Sequence, residues 1–110
     1  MKLAASLLPL ALAAAPVIAA AQAAEYVYVL SAGEMRSAID QGNKIMAAGY
    51  IAGVMDAMMR TRDFCVPEGI SQTDIGARAY RLMGQQDRDS KAPAADVIAV
   101  FLHGDYPCRK

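Results

Sequence analysis

The stretch GYIAGVMDAMMRTRDFCVPEGIS, residues 49–71, decides how this chain is read. Gly49, Gly53 and Ala57 recur every four residues and form a small-residue ridge along one side of a helix. Glycine costs about 1 kcal/mol against alanine inside a helix, so two of them four apart call for a reason. Close approach of another helix backbone is the physical one, and Gly49, Gly53 and Ala57 are therefore expected to pack helix against helix. The same spacing occurs in membrane dimers, but Asp56, Arg60 and Arg62 exclude a span here. The second half of the stretch delivers Cys65, whose single partner in the chain is Cys108.

Working outward from the ridge, the helix that carries it is predicted from about Lys44 to about Thr61, with Asn43 as its cap. Ile45, Ala48, Ala52, Met55 and Met59 make its expected apolar stripe. Upstream, Ser31 and Glu34 form a capping box ahead of Met35, Ala38 and Ile39, so a short first helix runs to Asp40-Gln41-Gly42. Glu25–Leu30 alternates like a strand but has no comparable run to pair with, and reads as an extended lead-in.

Downstream, Pro67 and Gly69 punctuate a loop, and Ser71 with Asp74 caps a third helix reaching about Gln86. Ile75, Ala79, Leu82 and Met83 point inward on it. Gln86–Ala92 (QDRDSKA) is the most polar stretch after the leader, and reads on its own as a solvated connection. Pro93 suits the first position of a fourth helix with Asp96 in its first turn. Val97, Ile98, Phe101 and Leu102 form its core face, and Gly104 is expected to stop it. Asp105-Tyr106-Pro107-Cys108 then returns to Cys65. The fold expected is all-α: a compact bundle of about four short helices stapled by one disulfide.

The N-terminus reads as a secretory leader. Met1-Lys2 is followed by an apolar run to Ala20, and Ala21-Gln22-Ala23 offers a small-x-small cleavage pattern, so residues 1–23 are expected to be removed. Residues 24–110 then make a single small domain in the periplasm. In that oxidising compartment Cys65 and Cys108 are expected to form a disulfide. Closing so long a loop contributes about 4 kcal/mol in the loop-entropy account. Lys2 is the one charge in the leader, so the balanced 11 basic and 11 acidic residues become a net charge of −1. That balance argues against a nucleic-acid footprint and against a basic membrane patch once the leader is gone.

Chemistry-bearing constellations are missing. His103 is the only histidine, so a zinc pair has no second ligand and a catalytic triad has no base to spare beside a structural cysteine. Its bland role is to complement the dipole near a helix C-terminus. Asp87 and Asp89 sit on a polar turn where nothing would separate their pKa values. No glycine-rich phosphate loop occurs. The expectation is a non-enzymatic binding protein without metal or cofactor. Met55, Met58 and Met59 could serve either the core or an adaptable binding surface.

The order GYIAGVMDA, FCVPEGIS and a terminal DYPC resembles the Rap/Tai-type immunity family, exported proteins that neutralise peptidoglycan amidase effectors of type VI secretion. The resemblance covers about Ser31 to Cys108. Many members carry a further cysteine pair, which by spacing would fall near Ile39 and Ala47; both cysteines are absent here, while Cys65 and Cys108 match the remaining pair. The resemblance implies a compact helical domain, often dimeric, that binds the amidase and blocks its substrate groove. On that reading Asp87, Arg88, Asp89 and Lys91, on the polar loop, are the candidate partner contacts. A periplasmic acid-stress chaperone, also helical, exported and stapled once, is the alternative, together with an interaction protein of another purpose.

Overall fold

A computed structural model describes residues 29–109. The expected leader (1–23) and most of the lead-in (25–28) lie outside them. Four helices follow in order: α1, Ala32–Asp40; α2, Lys44–Arg60; α3, Gln72–Met83; α4, Ala94–Asp105. Each packs against the other three. The expected all-α bundle is the observed one, and Cys65 and Cys108 are joined with their Cα atoms 4.9 Å apart.

Local chemistry sets the helix ends. Ser31 accepts from the Glu34 amide while Glu34 accepts from the Ser31 amide, a complete capping box. Gly42, at φ +82°, makes the left-handed turn out of α1. Ser71 caps α3 through the Asp74 amide. The third helix ends at Met83, short of the expected Gln86. Two boundaries of α4 also differ from expectation. Pro93 is its N-cap rather than its first residue, and Gly104 lies inside the helix, which runs to Asp105. After α2 the Asp63 amide donates to Met58 O at 2.9 Å and Arg62 takes the left-handed position, at φ 61°.

Between the four helices lies one core of Met35, Ala47, Ile51, Met55, Phe64, Ile75, Ala79, Met83, Ala94, Ile98, Leu102 and Tyr106, with Ala32 at its edge. Each large side chain buried there contributes about 1.5–3 kcal/mol. Among the described residues no polar or charged one is buried. Phe64 and Phe101 meet the Tyr106 ring edge-on, at centroid distances of 6.1 and 5.8 Å. The Tyr106 hydroxyl accepts from Arg78 at 2.6 Å. The inward faces expected for α1, α3 and α4 are those observed, with Ala38, Ile39, Leu82, Val97 and Phe101 half-buried at their margins.

The second helix is turned differently. Its buried residues are Ala47, Ile51 and Met55, flanked by half-buried Tyr50, Val54 and Met58. Of the expected stripe only Met55 faces inward; Ile45 is 90% exposed, and Ala48, Ala52 and Met59 face solvent. The helix is apolar or small nearly all round, so its pattern carries little contrast from which to choose a face.

Gly49, Gly53 and Ala57 consequently lie on the outer surface, which corrects their expected role in packing within the chain. A Cβ built on either glycine would meet no atom within 4 Å. Substitution at Gly53 therefore meets no steric barrier at the Cβ position. Gly53→Ala should raise stability by up to about 1 kcal/mol, through helix propensity and a less free unfolded chain. A thermal melt checks this: the midpoint should rise by several degrees.

Candidate functional site

The polar segment between α3 and α4 is held down rather than free. The first amides of any helix lack intrahelical acceptors and must find others. In α1 these come from the loop: Ala32 N–H donates to Ala92 O at 2.7 Å and Gly33 N–H to Ser90 O at 3.1 Å. One step further, Ala94 N–H donates to Leu30 O at 2.8 Å, and Ser31 pairs with Pro93 as an isolated antiparallel bridge. This gives the end of the lead-in the backbone partner that the sequence did not reveal.

Gly33 explains how close the loop comes. A Cβ at that position would clash with the Arg88 carbonyl oxygen and lie 2.9 Å from Ser90 O. Any side chain would wedge the loop off the helix. Arg36 reaches Gln86 O with Nη1 at 2.8 Å and contacts the Asp40 carboxylate with Nε. Arg88 returns to the same carboxylate from the loop, with Nε at 3.1 Å and Nη2 at 2.9 Å from Oδ2.

Two arginines thus converge on one acid. The bonded Arg88 guanidinium holds the Asp40 carboxyl below its ordinary value of 3.8; desolvation opposes this and Arg36 adds to it. A depressed carboxylate contributes stability above its unfolded value, and the contribution is lost as pH falls through the folded value. Asp40 should therefore help the fold at every pH above about 4, and this help should vanish only in stronger acid. Urea midpoints from pH 7 down to 3 check it: wild type should lose more stability than Asp40→Asn below pH 4, and the two curves should run parallel above it.

The four candidate contacts are all exposed, but they are not equivalent. Arg88 is committed to Asp40. Asp87 turns its Oδ1 back to the Asp89 amide at 3.0 Å and its carbonyl oxygen to the Ser90 amide at 3.0 Å. Asp89 and Lys91 carry no such side-chain bond. The sequence reading missed Gly33, Arg36 and Asp40. A glycine in the first turn of a capped helix and an i,i+4 Arg–Asp pair were the available signals.

A groove of about 630 Å³ runs between α2 and α3, lined by Ala48, Ile51, Ala52, Met55, Gly76 and Tyr80 among others. His103 Nδ1 lies 3.1 Å from the Asp63 carbonyl oxygen, a bond made by the Nδ1-protonated ring. This ties the end of α4 to the loop leading into the disulfide. Among the described residues no group of His, Cys, Asp or Glu side chains is arranged to hold a metal ion.

No curated protein and no solved structure matches the chain. Residues 31–108, from the α1 cap to the second half-cystine, match the family described as Rap1a immunity proteins. With the capped bundle, the single staple and the clasped loop all inside that span, this chain belongs to the Rap1a immunity protein family.

Proposed function

We propose that this chain is exported by its Met1–Ala23 leader and acts in the periplasm as an immunity protein against a peptidoglycan amidase effector of type VI secretion. The family match over residues 31–108 carries this reading. It supports action by binding a partner protein rather than by catalysis. The loop through Asp87–Lys91 presents four exposed charged side chains, and on this reading it occupies the amidase's substrate groove. Homodimerisation belongs to the same proposal, and sedimentation of the mature protein tests it: a single monomeric species would remove it.

An acid-triggered chaperone requires carboxylates whose protonation loosens the fold near working pH. Among the described residues no carboxylate is buried, and Asp40, held below its ordinary value, gives up its contribution only in stronger acid, below about pH 4.

The deciding experiment is a pull-down with mature, oxidised protein from periplasmic and secreted fractions of the same cells. Recovery of a cell-wall amidase, inactive in the complex, is the expected result. Client proteins captured only after acidification would overturn it in favour of the chaperone.

A further inference from the structure

We infer that the α3–α4 loop is a preformed recognition element, latched onto α1 by Gly33 and the Arg36–Asp40 pair, in which Arg88 is a positioning residue while Asp89 and Lys91 make the partner contacts. The inference rests on the reading of this loop as the surface that meets the effector.

Four separate attachments carry it: Ala32 N–H to Ala92 O, Gly33 N–H to Ser90 O, Arg36 to Gln86 O, and Arg88 to Asp40. They lie at both ends and at the middle of the loop, and the two backbone bonds satisfy amides that α1 cannot satisfy itself. Gly33 allows the contact distance and Asp40 fixes the direction of the Arg88 side chain. A loop held in this way loses little conformational freedom on binding, which is the usual source of affinity in a rigid inhibitory element. The same attachments divide the labour among its charges. With two of its guanidinium nitrogens turned inward to Asp40, Arg88 serves the loop's shape. Asp89 and Lys91, free of side-chain bonds to the domain, present one acid and one base outward.

The first-turn amides of α1 report the latch directly, because Ala32 and Gly33 are protected from hydrogen exchange only while the loop carbonyls are in place. In mature, oxidised protein both amides should exchange slowly. Asp40→Asn should speed them about tenfold while core amides of α3 and α4 keep their rates. Gly33→Ala should release them further; if that variant fails to fold, Asp40→Asn alone decides. Unprotected Ala32 and Gly33 in wild type, or unchanged rates in Asp40→Asn, would overturn the latch.

Binding is then measured to the peptidoglycan amidase purified from the same cells' secreted fraction. Asp89→Ala and Lys91→Ala should each weaken binding about tenfold with wild-type exchange at Ala32. Arg88→Ala should weaken it to the extent that Asp40→Asn does, with no added loss when the two are combined. Full loss from Arg88→Ala in the Asp40→Asn background would make Arg88 a contact and overturn the division of labour. Intact exchange behaviour with no effect of any loop variant on binding would overturn the contact assignment and, with it, the proposed inhibitory loop; the latch itself would stand.

Discussion

Replacing both half-cystines by serine should remove about 4 kcal/mol and lower the thermal midpoint by roughly 20 °C. Cys65 and Cys108 are 43 positions apart, and the segment they close contains α3, the clasped loop and α4. Most of the folded arrangement around the bridge has other support. Cys65 N–H still donates to Tyr106 O at 3.0 Å, and Tyr106 stays wedged between Phe64 and Phe101. The loss therefore falls mainly on the unfolded side, where an open chain gains freedom that the bridged chain lacks. Helical content at low temperature should survive, while the denaturant dependence of unfolding should steepen because the open chain exposes more surface. Paired urea and thermal titrations check this; a midpoint within a few degrees of wild type would show that the loop contributes nothing. A domain of this size is held by about 5–15 kcal/mol in all, so the expected loss is large.

Phe64→Ala should cost about 3–5 kcal/mol. Phe64 is fully buried although it lies outside every helix, in the segment between α2 and α3. Its ring packs edge-on against Tyr106 and so helps to anchor the return of the C-terminal residues. Truncation would leave a cavity bordered by a tyrosine whose hydroxyl is tied to Arg78, so the ring cannot drop freely into the gap. Urea unfolding of Phe64→Ala with the bridge intact measures the effect. Because Phe64 and Cys65 are neighbours that secure the same returning segment, their losses should not add simply. The variant lacking both is expected to be unfolded at room temperature, with helical ellipticity lost.

How much of this was legible in the sequence depended on how local the cause was. Ser31 with Glu34 and Ser71 with Asp74 announced two helix starts, because a cap is made by residues three apart. The faces of α3 and α4 were legible too, since apolar and polar positions alternate there with enough contrast. Contrast failed on α2, where Ile45, Ala48 and Ala52 look as inward as Ala47 and Ile51 and only tertiary packing separates them. The small-residue ridge was real as a pattern but misplaced, and faces solvent. Cys65 and Cys108 were legible because elimination left a single pairing. The candidate loop was found by its polarity, yet its attachment was not, since Arg88 and Asp40 stand far apart in sequence. Gly33 was the missed signal: a helix-weakening residue in a well-capped first turn points to something pressing on that turn.

The clasp joining residues 30–33 to residues 90–94 has a consequence for the order in which the molecule forms. Among the described residues, the first helix is completed by a segment that follows the third. Until Ser90 and Ala92 are present, α1 has a Ser31–Glu34 cap, but its first two amides lack their acceptors. Such a helix is short and marginal by itself. It should form late, docking onto a unit of α2, α3 and α4 rather than seeding it, and should be the first element to detach when the domain is stressed. A chain ending before the clasp would then lose both of its ends, its first helix as surely as its last.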